Sequence, residues 1–161
     1  MATDPRWGRI EETYGSDPYL VGRLDTENAK GIQSQRVAAT AKHYAVYSIP
    51  FAGSDGWVRT HPMVGEGEMF IKYLWPFETV IKNSNLQGVM VSYNDFDGEP
   101  IVISKKFLTD FLRVRFGFKG YTVSDSAAFE DIMDKYNITD DIDEAAAMAV
   151  DAGMNVRNYR F

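Results

Sequence analysis

The chain has 161 residues, with 17 Lys and Arg against 23 Asp and Glu, and a formal net charge of −6. Hydrophobic residues make up 45% and charged ones 25%, which fits one globular domain, or part of one, rather than a disordered segment. Cysteine is absent and there are two histidines, so disulfides, thiolate nucleophiles and Cys- or His-rich metal centres are not expected, and no cofactor is. An acidic chain without a basic block argues against a nucleic-acid partner, because phosphate contacts need clustered Lys and Arg. No apolar run approaches the roughly 18 residues of a membrane span, so no membrane partner is expected. The opening residues lack the apolar core of a signal peptide, which leaves the compartment undetermined.

In chain order, an irregular arm, DPRWGRIEETYGS, comes first. Ser16 or Asp17 can cap a helix whose first turn accepts Pro18, with a rough stripe of Leu20, Val21, Leu24 and Ala29 and a stop near Gly31. Val37 to Ala41 reads as a buried strand followed by Lys42 and His43. From Ser48 to Val64 the Gly- and Pro-bearing sequence predicts a long loop, a length usually tied to function or disorder. Met69, Phe70, Tyr73, Leu74, Phe77, Val80 and Ile81 then follow helical spacing despite Pro76, which should kink the helix.

Gly88 to Tyr93 reads as a second strand, and Ser104 as the cap of a third helix through Phe107, Leu108, Phe111, Leu112 and Val114, closing near Gly117. Tyr121 to Ser124 is a third strand ending at Asp125. Helices from about Ala127 to Tyr136 and from Asp143 to Ala152 lead to a short fourth strand, Met154 to Arg157. Short apolar strands alternating with helices indicate an α/β fold built on parallel β-sheet. Polar residues gather at the strand ends: Lys42 and His43, Tyr93 and Asn94, Ser124 and Asp125, Asn155 and Arg157. In such folds that edge is where ligands bind.

The strings DPRWGRIEETYGSDPYL, VAATAKHYAVY, GVMVSYNDFDGEP and LRVRFGFKGYTVSDS, in this order, resemble the catalytic barrel of glycoside hydrolase family 3, which contains retaining β-glucosidases and β-xylosidases. The tail DEAAAMAVDAGMNVR is similar to the family's approach to the next barrel strand. The resemblance implies a partial TIM-type (β/α)8 barrel of about four parallel strands, with residues 1–161 forming a single segment of it. A β-linked glucoside, xyloside or oligosaccharide is the partner implied.

It also implies roles. Asp125 matches the nucleophile, the Asp of a Ser-Asp pair at a strand end; on residue type alone it could equally cap the following helix. Lys42 and His43 match a sugar-binding pair, although neighbours on a strand point oppositely and one could be structural. Arg9 matches an Arg that contacts the sugar. A salt bridge to Glu11 or Glu12 is the alternative, assigned here to Arg6. Tyr93 matches a Tyr beside the nucleophile, and Arg59 a less constant sugar-contacting Arg. Ser126 stands where the family often has Trp, which leaves substrate preference open.

The N-acetylglucosaminidase branch is not indicated, since Lys42-His43-Tyr44-Ala45-Val46 departs from its Lys-His-Phe-Pro-Gly sequence, and His61 reads as an exposed loop residue. A full barrel takes about 250 residues. An upstream Asp that binds the terminal sugar and the acid/base Glu are therefore expected outside this chain. Glu66, Glu68, Glu99 and Glu130 read as solvated charges. The alternative to an enzyme fragment is a carbohydrate-binding or structural half-barrel without turnover. Exposed sheet edges would favour a homo-oligomer.

Overall fold

The computed structural model describes residues 1–49 and 61–158. Its centre is a three-stranded parallel sheet in the order β1 (Thr40–Tyr44), β2 (Gly88–Val91) and β5 (Tyr121–Ser124). A two-stranded antiparallel hairpin, β3 (Asp95–Phe96) and β4 (Glu99–Pro100), lies between β2 and β5 in the chain. Its turn residues Asp97 and Gly98 have φ of 53° and 87°, the doubly left-handed pair that Asp-Gly turns favour. The sequence reading assigned no strands there.

Helix α1 (Pro18–Ser34) starts where Asp17 accepts the backbone N–H groups of Tyr19 and Leu20 at 2.7 and 3.0 Å. It runs past Gly31 to Ser34. Its buried face is Val21, Gly22, Thr26 and Ala29, whereas the expected Leu20 and Leu24 are exposed. Close approach explains this choice. A Cβ on Gly22 would lie 3.0 Å from Thr79 Cβ, so small side chains must face the neighbouring helix.

That neighbour runs from α2 (Glu66–Glu68) through a π-helical stretch (Met69–Leu74) into α3 (Trp75–Ser84). Pro76 cannot donate to the preceding turn, and the wider π turns stand just before it. Asn85, left-handed at φ 51°, ends the helix.

Strand β1 sits three residues later than the sequence suggested. Pairing decides its position: Thr40 faces Gly88, Ala41 faces Val89 and Tyr44 faces Val91, while Val37 is exposed. Three steps along β1 thus match two along β2, and Lys42 and His43 occupy the irregularity within the strand rather than following its end.

The third long helix, Lys106–Arg115, is π-helical and buries Phe107, Leu108 and Leu112, with Val114 exposed. Ser104 lies just before it: its carbonyl accepts the Leu108 N–H at 2.9 Å, while its hydroxyl donates to Glu99 Oε2 at 2.6 Å. Helix α4 is reduced to Glu130–Asp134, because Ala127, at φ 62°, breaks the turn before it. Helix α5 (Ile142–Ala152) is capped by Asp141.

The expected fourth strand is a single parallel bridge, Val123 to Val156. The Asn155 side chain accepts the Thr122 N–H at 3.0 Å and so occupies a donor that a longer ladder would need. The core centres on Tyr44, whose hydroxyl donates to the Phe107 carbonyl at 3.0 Å, packed with Val89, Val91, Leu108 and Leu112. Among the described residues no helix is long and apolar enough to cross a membrane.

Candidate active site

The C-terminal ends of β1, β2 and β5 bring His43, Tyr93 and Asp125 together. Asp125 follows β5; its N–H donates to the Val91 carbonyl at 3.1 Å, which ties it to the neighbouring strand. Its Oδ1 accepts the Ser126 N–H at 2.7 Å. Its Oδ2 is buried and lies 3.3 Å from His43 Nε2, and the Tyr93 hydroxyl is hydrogen-bonded to the same carboxylate. One oxygen is thus fixed by the backbone, and the other lies beside an imidazole. The sequence alternative, Asp125 as a helix cap, is not what the hydrogen bonds show, since α4 begins at Glu130 and the bond is to the next residue alone.

His43 is nearly enclosed, with 4% of its side chain exposed. Burial, and then the cations of Arg9 and Lys42, push its pKa down to about 3. The imidazole is therefore neutral at ordinary pH, with one N–H to donate and one nitrogen to accept. Half-buried Tyr93 has its phenol pushed upward, first by burial and then by the neighbouring Asp125 carboxylate.

Arg9 and Lys42 meet at a residue that the sequence reading gave only as a salt-bridge alternative. Glu12 holds Arg9 in a two-pronged pair, Nε to Oε1 at 2.6 Å and a terminal nitrogen to Oε2 at 2.8 Å. Lys42 Nζ lies 2.5 Å from the same Oε2. Arg6 has a different partner from the one expected: Asp4 caps the short turn Pro5–Trp7 and binds Arg6 at 2.6 Å. Two residues back is nearer than Glu11 or Glu12, and Asp4 is already fixed by its cap.

Tyr47 is the residue sequence reasoning missed. It is buried, and its ring stands edge-on to Trp7, His43 and Tyr93 at centroid distances of 5.8, 5.1 and 6.0 Å. The Arg9 guanidinium lies 5.9 Å from its centroid. Its place four residues after His43 in KHYAVY was the available signal. A cavity of about 220 Å³ has Glu12, Lys42, His43 and Tyr47 in its wall together with Val21 and Asp25 of α1 and Phe77 of α3; Arg9, Tyr93 and Asp125 are not among its lining residues.

Other strand-end residues are structural. Asn94 is buried and donates to the carbonyls of Ala45 and Asp95. Asn155 binds Thr122 and Arg113. Glu130 is not the solvated charge expected; it is partly buried and pairs with Arg157 at 2.5 Å. Glu66 pairs with Lys106 and Glu68 with Lys72, and Glu99 accepts Ser104. His61 is exposed as expected, 3.7 Å from buried Asp95. Arg59 lies outside the described residues.

Comparison with known proteins matches residues 1–158 to the glycosyl hydrolase family 3 N terminal domain. A beta-xylosidase of Formosa agariphila is 34% identical over 163 residues, covering 96% of this chain and 22% of the relative. A xylan 1,4-beta-xylosidase of Xylanibacter ruminicola is also 34% identical, covering 98% and 19%. Among solved structures, a β-glucosidase from Erythrobacter marinus superposes with a TM-score of 0.91 at 32% identity, covering 99% of this chain and 22% of that one. A family 3 exo-beta-xylosidase in complex with a xylobiose aziridine probe gives 0.87 at 29% identity, covering 96% and 21%. The chain spans about a fifth of the length of the relatives it matches. Its parallel sheet and flanking helices are accordingly part of a (β/α)8 barrel, and the chain belongs to glycoside hydrolase family 3.

Proposed function

We propose that this segment carries the nucleophile and part of the terminal-sugar subsite of a retaining β-glycosidase acting on β-glucosides or β-xylosides. The observation that carries the reading is Asp125 itself: Oδ1 is fixed by a backbone N–H, and Oδ2 is turned to His43 Nε2 at 3.3 Å, with Tyr93 beside the same carboxylate. In the proposed reaction that oxygen attacks the anomeric carbon. The bond to the leaving oxygen breaks as the glycosyl ester forms, and water later cleaves the ester with release of the sugar. Arg9, Lys42, neutral His43 and Tyr93 would hold the sugar hydroxyls, and Arg59 is a further candidate.

A second carboxyl group about 5–5.5 Å from the nucleophile must supply the leaving group's proton. Glu66, Glu68, Glu99 and Glu130 each have a partner of their own, so we assign the acid/base to none of them. Loss of a general acid costs about 10²–10⁴ in rate, so turnover by this chain should be weak and best seen with activated aryl glycosides. Hydrolysis of aryl β-glucoside and aryl β-xyloside by the wild type and by Asp125→Ala tests the reading. Activity abolished in the variant is expected; equal rates would reject it. We further propose that two copies associate through exposed sheet edges.

A further inference from the structure

The proposed reaction makes no use of Glu12, yet Glu12 touches both Arg9 and Lys42. It belongs to the short turn Ile10–Glu12, whereas Lys42 comes from β1, thirty positions along the chain. Both oxygens are used: Oε1 accepts Arg9 Nε, and Oε2 accepts both Arg9 and Lys42. Without a carboxylate between them, a guanidinium and an ammonium brought to one place would repel each other.

The donor count shows what is left for a ligand. A guanidinium has five N–H groups and an ammonium three. Glu12 takes two from Arg9 and one from Lys42, and the Tyr47 hydroxyl takes a further one from Arg9, so two and two remain, enough to address several hydroxyls of a ring. The Tyr47 ring flanks Arg9, whose guanidinium lies 5.9 Å from the ring centroid. Arg9 first, and Lys42 with it, hold the Glu12 pKa down to about 2, so the bridge stays ionised through neutral and mildly acidic pH.

We propose that Glu12 is a positioning residue that aims the free donors of Arg9 and Lys42 at a single sugar ring, a role that rests on the sugar-site reading given above. It touches no substrate atom itself. Its contribution is to convert two flexible cations into one fixed pair of hydrogen-bonding groups, and misplacement of such groups by about 1 Å can cost about 10²-fold.

The test is titration of the full chain with methyl β-D-glucopyranoside and methyl β-D-xylopyranoside, followed by NMR. The variants are Glu12→Ala, Glu12→Gln, Lys42→Ala, Arg9→Ala and the double variant Glu12→Ala/Lys42→Ala, with urea midpoints measured alongside. Glu12→Ala and Glu12→Gln should weaken binding about 10- to 100-fold at an unchanged midpoint. The double variant should bind little worse than Glu12→Ala, because Lys42 acts through the pair. Wild-type affinity in Glu12→Gln or Glu12→Ala, with Lys42→Ala weakened, would overturn the role of Glu12 and leave the sugar site standing. A fall in affinity that tracks the midpoint, with Glu12→Gln restoring both, would also overturn it, as a purely structural ion pair. If Arg9→Ala and Lys42→Ala bind as the wild type does, or if no chain binds either sugar, the site reading fails and this role with it.

Discussion

Replacing His43 by Gln should remove a specific part of the protein's pH dependence. The imidazole is almost fully enclosed, and its pKa lies near 3 in the fold against 6.5 in an open chain. An unfolded chain therefore takes up a proton at His43 as pH falls below about 6.5, while the folded chain does not until near 3. Stability from this residue is present above pH 6.5 and is lost progressively as pH drops through that window. Each pH unit is worth about 1.4 kcal/mol, so the ceiling is roughly 5 kcal/mol, comparable with a whole domain's stability of about 5–15 kcal/mol. Urea unfolding of the wild type and His43→Gln at half-unit steps from pH 8 to pH 4 measures it. The wild type should lose about 1.4 kcal/mol per unit more than the variant between pH 6 and 4. Parallel curves would show that His43 titrates normally in the fold, and would refute the argument from burial beside Arg9 and Lys42.

Two further outcomes are expected. Tyr44→Phe leaves the buried Phe107 carbonyl without its 3.0 Å donor and should cost about 1–3 kcal/mol in a urea titration with no change in sugar binding. Light scattering coupled to size exclusion should show self-association; a well-folded monomer at tens of micromolar would reject pairing through the sheet edges.

The sequence showed the parts of this fold that depend on local chemistry. Asp17 before Pro18 announced α1, and the 3.6-residue spacing from Met69 to Ile81 announced the long helix. Polar pairs at strand ends pointed to the candidate site edge, and the family motifs put Asp125, Lys42 and His43 forward as candidates. What was not legible depends on partners far away in the chain. The position of β1 is set by Gly88, Val89 and Val91, so Lys42 and His43 fell within a bulged strand instead of after it. The inward face of α1 is set by the closeness of Thr79, which favours Gly22 and Thr26 over Leu20 and Leu24. Arg9 with Glu12 could be read from a three-residue spacing, but nothing local linked Lys42 to the same carboxylate. Tyr47 has no local mark in the sequence; its place depends on His43, Tyr93 and Arg9 around its ring. The Asp97-Gly98 dipeptide is by contrast a local turn signal, and the hairpin uses it.

The nucleophile is the central claim, and covalent trapping reaches it directly. An activated 2-fluoro β-glucoside or β-xyloside slows breakdown of the glycosyl ester, so an active preparation should accumulate one sugar adduct per chain. Peptide mass spectrometry should place that adduct on the segment Gly120 to Phe129, at Asp125, and the adduct should be absent from Asp125→Ala. A preparation that hydrolyses aryl glycosides yet carries the label on any other carboxylate would contradict the assignment.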